Sequence, residues 1–292
     1  MNKNIFIAGG SGLIGSYLIN KLESLNCNVT ILSRNPGENT IVYPEKEEDL
    51  AKIIDGAAAV INFAGASIVG KRWNPEYKKI LYDSRIKTTR YLVNAINLTQ
   101  NKPYFISNSA VGFYGDRGNK ILNEDTNPDS GFIANLCIDW EEEAHKANTK
   151  TFIPRIGIVL STEGGALKEM LTPFKLFVGG PLADGKQWFP WIHIDDLASL
   201  LIFALENQIE GTANAVSPNP VQMNEFAQTL AKVLKRPAIF RVPAFALKII
   251  LGESAQEVLR SQRVNPQFML NTNFEYKYQL LDSALNNLIN NK

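Results

Sequence analysis

Close to the start of the chain the apolar run Ile5-Phe6-Ile7-Ala8 meets Gly9-Gly10-Ser11-Gly12-Leu13-Ile14-Gly15, and from Leu13 onward apolar residues recur at helical spacing. A strand that passes into a helix within so few residues needs backbone freedom, which Gly9, Gly12 and Gly15 provide in a G-x-x-G-x-x-G pattern. The first allows the tight turn, the second admits a pyrophosphate close to the backbone, and the third lets helix pack on strand. The helix N-terminus adds free N–H groups and a positive dipole end. Glycines also punctuate turns that bind nothing. It is the placement between strand and helix that predicts a dinucleotide site here, with Leu13 and Ile14 on the phosphate-facing turn.

The rhythm that follows agrees with that start. Ile5–Ala8, Val29–Leu32, Ala59–Phe63, Tyr104–Ser107 and Phe152–Leu160 read as strands, with helices over Leu13–Leu25, Glu47–Ile54, Glu76–Ile96 and Phe132–Ala147 between them. Several strands are apolar without alternation, the pattern of a parallel sheet covered on both faces. The expected fold is α/β, a Rossmann-type doubly wound parallel sheet with a smaller C-terminal α/β lobe. Beyond residue 160, Gly164-Gly165 and Gly179-Gly180-Pro181 bracket a helix over Ala166–Phe177. A helix over Asp195–Glu206 and a strand over Gly211–Val216 are expected to return to the sheet. Another helix after Pro218, a strand over Ala238–Val242 and helices over Phe245–Leu251 and Leu280–Ile289 follow, and Asn286–Lys292 reads as a frayed end. The expected division is a cofactor-binding domain over 1–160, rejoined by 191–217, and a substrate lobe over 161–190 and 218–292.

Composition narrows the partners. Lys and Arg number 30 against 29 Asp and Glu, so the net charge of +1 argues against nucleic-acid binding through bulk charge. Hydrophobic residues at 45% and charged ones at 20% match an ordinary globular chain. Cys27 and Cys137 cannot make a disulfide framework, and with only His145 and His193 no Cys/His pair has zinc spacing, so no metal is expected. The longest apolar run, around Leu200–Leu205, falls well short of the ~20 residues of a membrane span, and no signal peptide is evident. The expectation is a cytoplasmic protein, monomer or homodimer, whose partner is a small molecule rather than nucleic acid or membrane.

The end of the second strand chooses between the two nicotinamide cofactors. A carboxylate there would accept from the adenosine ribose hydroxyls. The residues are instead Thr30-Ile31-Leu32-Ser33-Arg34, a hydroxyl and a guanidinium suited to a phosphate. An exposed loop arginine is the plainer alternative; the absence of an acid together with the presence of Arg34 favours NADP(H) over NAD(H). Val60-Ile61-Asn62-Phe63-Ala64-Gly65-Ala66 then ends a strand in small residues, which would let a cofactor pass close to backbone.

These segments, with Ser107-Asn108-Ser109-Ala110-Val111, Tyr114-Gly115 and Trp191-Ile192-His193-Ile194-Asp195-Asp196, resemble extended short-chain dehydrogenases/reductases. More narrowly the chain is similar to the atypical NAD(P)-dependent "epimerase family" subgroup, nucleoside-diphosphate-sugar epimerase-like proteins. That likeness rests on Ala64-Gly65-Ala66-Ser67-Ile68 with Lys71-Arg72-Trp73, Ser84-Arg85-Ile86, Tyr114-Gly115-Asp116-Arg117-Gly118, and Gly179-Gly180-Pro181-Leu182 with Gly185-Lys186-Gln187-Trp188. Gly252-Glu253, Gln262-Arg263-Val264 and Pro266 resemble the subgroup's C-terminal domain of unknown function. The resemblance implies an active site between cofactor domain and substrate lobe and a 2′-phosphate held by Ser33 and Arg34. It places Phe63, Ala64, Gly65 and Ile158 along the cofactor. Arg85 is a candidate for the cofactor phosphates, its alternative being a surface salt bridge.

Typical members of that superfamily catalyse with Tyr-x-x-x-Lys on a helix, the lysine lowering the phenol pKa for proton exchange. On the helix where that pair is expected, Phe132–Glu141, no tyrosine has lysine four residues on. Matching Trp140-Glu141 to the usual pattern puts Ile133 at the tyrosine position and Cys137 at the lysine position, and neither can do that acid/base work. Ser109 could instead orient a substrate oxygen, or simply cap its strand; Tyr114 lies five residues on, but a phenol without a cationic neighbour keeps a pKa near ~10. Lys186 or His193 could bring charge or protons from the second lobe, although His193 also reads as a packed core residue. Lys71-Arg72-Trp73 and Lys186-Gln187-Trp188 set cationic or amide groups beside an indole, suited to an anionic or planar substrate if not merely solvated loops. Two functions follow: an NADP(H)-dependent oxidoreductase or epimerase-like protein acting on a small carbonyl or hydroxyl compound, nucleotide sugars among the candidates, or a non-catalytic NADP(H)-binding sensor or regulator.

Overall fold

The computed structural model describes residues 3–68 and 71–290. The chain opens with β1 (Asn4–Ala8), α1 (Leu13–Ser24), β2 (Asn28–Ser33), β3 (Thr40–Val42), α2 (Glu47–Ile54), β4 (Ala59–Asn62) and α3 (Pro75–Leu98). It continues through β5 (Tyr104–Ser107), β6 (Ser109–Ala110), β7 (Ile121–Leu122), α4 (Phe132–His145), β8 (Thr151–Ile156), β9 (Ile158–Leu160) and α5 (Gly165–Lys175). Then come β10 (Trp188–Phe189), β11 (Trp191–His193), α6 (Ile194–Asn207), β12 (Gly211–Ala215), β13 (Val221–Gln222) and α7 (Met223–Leu234). The last elements are α8 (Ala244–Leu251), α9 (Ala255–Leu259), β14 (Arg263–Val264), α10 (Gln267–Leu270) and α11 (Leu281–Asn290).

Alternate side chains of β1 feed two cores. Ile5 and Ile7 pack with Leu18 and Leu22 of α1 and Leu201 and Leu205 of α6, while Phe6 and Ala8 pack with Leu50 and Ile54 of α2 and Leu92 and Ile96 of α3. With both faces covered, the strands carry no polar-out alternation. The main sheet runs β3-β2-β1-β4-β5-β8-β12, every neighbouring pair parallel, with β6 also paired to β8. Strand order reverses between β1 and β4, and in open α/β sheets such a reversal leaves a crevice at the carboxyl ends of the two strands. A further core, with Leu167, Phe174, Trp191, Phe226, Leu230, Tyr278 and Leu285, gathers α5, α7 and α11.

Three sequence expectations differ from the structure. The single strand over Phe152–Leu160 is broken at Gly157, where a Cβ would lie 2.2 Å from the Pro190 carbonyl oxygen; β9 leaves the main sheet to pair with β11. Ala238–Val242 forms no strand: Val242 makes one isolated bridge to Leu182, and with Ile239 and Phe240 exposed there is no ladder to hold the segment. The Asn-rich end is helical through Asn290, its turn tied by Asn286 Nδ2 donating to the Asp282 carbonyl, while 291 and 292 lie outside the described residues.

Candidate functional site

The glycine turn sits at the strand reversal. Gly9 has φ +78, and a Cβ there would lie 2.7 Å from the Phe63 carbonyl, so the chain after β1 is pressed against the chain after β4. A Cβ on Gly15 would lie 2.5 Å from the Gly9 oxygen, whereas one on Gly12 would meet only that oxygen, at 3.4 Å. Gly12 is thus the open position of the three. It is also the N-cap of α1, with no side chain capping the helix and no acid in its first turn. The first N–H groups of a helix have no intrahelical partner, so this terminus is a cradle fit for a pyrophosphate. The Leu13 side chain packs on Gly164 and Gly165. At the end of β4, Asn62 Oδ1 accepts from Ala64 N, steering Phe63, Ala64 and Gly65 past the turn.

At the end of β2, Ser33 Oγ accepts from Asn35 N at 3.2 Å. Arg34 is exposed and enters no ion pair among the described residues. An anion reaching that loop would meet an uncommitted guanidinium. Ile158 is half-buried in β9, its N–H donating to the Pro190 carbonyl.

Beside the glycine turn lies a cavity of about 180 Å³. Its walls come from Ile14 of α1, Arg85 of α3, Asn108, Ser109 and Ala110 after β5, Ile133, Leu136, Cys137 and Trp140 of α4, and Ile156, Gly157 and Val159. A larger concavity of about 340 Å³ is lined by Arg117, Lys120, Asn123, Asp125, Thr126 and Asn127, all from the segment around β7 and none from the glycine turn or the main-sheet strand ends, so the smaller cavity is the candidate site. It contains the two positions that the resemblance matches to the usual Tyr and Lys. Ile133 and Cys137 present a methyl-rich wall and a thiol pushed up to about 12 by burial.

Arg85 is buried rather than in a surface salt bridge. It is 8% exposed, Nη1 donating to the Leu81 carbonyl at 3.1 Å and Nη2 to the Ala66 carbonyl at 3.0 Å. Its guanidinium lies 5.3 Å from the Trp140 ring centroid, and a Cβ on Gly65 would approach it to 3.0 Å. Burial holds its pKa below the usual arginine value, and no carboxylate is among the groups that act on it.

The structure separates Ser109 from Tyr114. Ser109 lines the cavity and its Oγ donates to Glu141 Oε1 at 2.6 Å. Glu141 is in turn gripped by Arg155, Nε to Oε1 at 2.9 Å and Nη2 to Oε2 at 2.8 Å, with both side chains buried. Tyr114 is fully buried; its hydroxyl donates to Asn214 Oδ1 at 2.7 Å and accepts from Arg155 Nη1 at 2.9 Å, and burial raises its pKa further. Tyr114 therefore braces the network instead of presenting a proton to a ligand. Sequence reasoning missed Arg155, Asn214 and the role of Glu141. The one available signal was an arginine and an asparagine inside otherwise apolar strands. It also missed Asn108, whose Oδ1 is buried at the cavity wall without a hydrogen-bond partner among the described residues, as is Ser107 Oγ next to it in the chain.

The substrate candidates disperse. His193 caps α6, Nδ1 accepting from Asp195 N at 2.9 Å, Nε2 facing Asn287 Oδ1 at 3.2 Å and the ring stacked on Tyr278; burial lowers its pKa to about 4. Both ring nitrogens are occupied, so the structure makes it a helix cap. Trp73 is buried against Phe132 and donates to the Ile68 carbonyl, and Arg72 donates to the Ile249 carbonyl. Lys71 is exposed over the Tyr77 ring. Lys186 is exposed, while Trp188 donates to Asn119 Oδ1 and lies under Arg263. None of these six is among the residues lining the cavity. Among the described residues no helix is long and apolar enough to cross a membrane.

Comparison with known proteins bears on the same residues. The model of the NAD dependent epimerase/dehydratase family matches residues 5–216, and that of a domain of unknown function, DUF1731, matches 242–288. The chain is 38% identical to the Arabidopsis thaliana epimerase family protein SDR39U1 homolog, chloroplastic, over 96% of this chain and 85% of that protein. It is 36% identical to the Mus musculus epimerase family protein SDR39U1, over 98% and 99%. The crystal structure of human epimerase family protein SDR39U1 (isoform 2) with NADPH superposes with a TM-score of 0.93 at 34% identity, covering 99% of this chain and all of that one. A UDP-N-acetylglucosamine 4-epimerase from Bacillus cereus shares the fold, with a TM-score of 0.79 at 17% identity over 98% of each chain.

Proposed function

Because this chain belongs to the NAD dependent epimerase/dehydratase family, we propose that it is an NADP(H)-dependent oxidoreductase acting on a small carbonyl or hydroxyl compound. The observation that carries this reading is the cavity itself: Ile14, in the first turn of the uncapped helix, shares it with Arg85, Asn108 and Ser109. Gly9, Gly12, Leu13, Ile14 and Gly15 would hold the pyrophosphate, Ser33 and Arg34 the 2′-phosphate, and Phe63, Ala64, Gly65 and Ile158 would flank the cofactor. When bound, the nicotinamide supplies or takes the hydride. Ser109, its own proton directed to Glu141, offers lone pairs that can accept from a substrate hydroxyl. In this reading 1–160 with 191–217 carry the cofactor, and 161–190 with 218–292 form the substrate lobe.

A second reading, nucleotide binding without turnover, is favoured by Ile133 and Cys137, which cannot exchange protons as Tyr and Lys do. Thermal-shift titration with NADPH and NADH, on the wild type and on Arg34→Ala, tests what the two readings share. NADPH should stabilise more than NADH, and loss of a charge-assisted contact worth about 1.5–3 kcal/mol should cost the variant on the order of 10- to 150-fold in NADPH affinity. If neither nucleotide shifts the melting point, both readings fall. NADPH consumption over a panel of small carbonyl compounds then separates the enzyme from the sensor.

A further inference from the structure

Arg85 is a buried cation without an anion among the described residues. Desolvating a charge is costly unless it is paired, yet the two groups that receive its N–H donors, the carbonyls of Leu81 and Ala66, are neutral. A guanidinium has five N–H donors, so most of the fork stays unspent. Gly65 and Trp140 hold it in place, and it faces the cavity that Ser109, Ile133 and Cys137 also line, where the family resemblance puts the reacting groups. The cofactor phosphates have a separate cradle at the α1 N-terminus, which leaves Arg85 without a task in binding them. Asn108, with an unpartnered buried Oδ1 and on the same wall, adds a polar group for a donor on the ligand.

We propose that Arg85 anchors a carboxylate of the substrate, so that the cavity takes small oxo or hydroxy acids rather than neutral carbonyl compounds or nucleotide sugars. The match is geometric as well as electrostatic: a planar guanidinium binds a planar carboxylate through parallel N–H donors, which a lysine cannot reproduce. Size agrees, since about 180 Å³ lies below the roughly 300–1,000 Å³ of pockets that enclose drug-sized ligands. The proposal rests on the cofactor reading given above.

The test is calorimetric titration of the NADP⁺-loaded full chain with oxamate and malonate, and with acetamide as the neutral control. Binding of the carboxylates but not of acetamide is expected, and Arg85→Gln and Arg85→Lys should each weaken it at least about tenfold while NADPH affinity stays within about twofold. A tenfold loss of NADPH affinity in Arg85→Gln would hand the guanidinium to the cofactor and overturn the proposal. So would a loaded wild type that ignores both carboxylates or binds acetamide equally well, a result that needs no variant to fold. Wild-type protein that takes up neither NADPH nor NADP⁺ would instead sink the function proposed above, and this inference with it.

Discussion

Replacing Glu141 by Gln keeps the side chain's shape and removes its charge. In the native protein the carboxylate accepts from Ser109 Oγ at 2.6 Å and from Arg155 Nε and Nη2 at 2.9 and 2.8 Å, and the two charged side chains are 8% and 7% exposed. A glutamine offers one oxygen to those donors and turns its own amide hydrogens toward the guanidinium. Each charge-assisted hydrogen bond contributes about 1.5–3 kcal/mol, and removing one partner of a buried pair typically costs about 3–5 kcal/mol because the other charge stays buried. The expected loss for Glu141→Gln is in that range. In equilibrium urea unfolding followed by circular dichroism it corresponds to a midpoint lower by on the order of 1–2 M at unchanged slope. The double variant Glu141→Leu/Arg155→Met, which leaves no buried charge, should be less destabilised than Glu141→Gln alone. A single-variant cost below about 1 kcal/mol, or a double variant worse than the single, would refute the view that this pair is a mutually dependent buried unit.

Three further outcomes are expected. A Cβ on Gly15 collides with backbone at 2.5 Å while one on Gly12 meets its nearest atom at 3.4 Å. Gly15→Ala should therefore cost about 1–3 kcal/mol as an overpacked site. Gly12→Ala should fold close to normally yet lose NADPH in the thermal-shift assay, and a Gly12→Ala protein that binds NADPH normally would show that no phosphate passes over that residue. His193 has its pKa depressed to about 4, so between that value and the unfolded value near 6.5 the unfolded chain binds the extra proton. Its contribution makes stability rise with pH through this window, by about 3 kcal/mol in all. The difference in unfolding free energy between wild type and His193→Gln, measured from pH 4 to 7, should follow that rise, and a flat difference would show the imidazole to be freely protonated in the fold.

Locally encoded features were legible. The turn at Gly9, Gly12 and Gly15 follows from backbone freedom at fixed spacing, and the strands at Ile5, Val29, Ala59 and Tyr104 follow from apolar runs that must be covered on both sides; the parallel sheet needed nothing more. Gly157 and the Ala238–Val242 segment misled because what breaks or denies a strand there lies far along the chain, Pro190 in one case and a pairing that stops at the single Leu182–Val242 bridge in the other. The site divides in the same way. Its residue types near the glycine turn could be read in order along the chain, but Ser109 and Tyr114, five positions apart, have opposite fates that only the packing of β12 and α4 decides: one hydroxyl reaches the cavity and the other is locked between Arg155 and Asn214. In sequence Arg85 is a helix arginine with two candidate tasks, the cofactor phosphates or a surface salt bridge. Its burial, its place over Trp140 and its lack of a counter-charge are created by contacts across the fold. Periodicity and glycine spacing are properties of neighbours in the chain, and they determined the fold class and the glycine turn; desolvation and charge pairing are properties of neighbours in space, and only the tertiary structure could decide them.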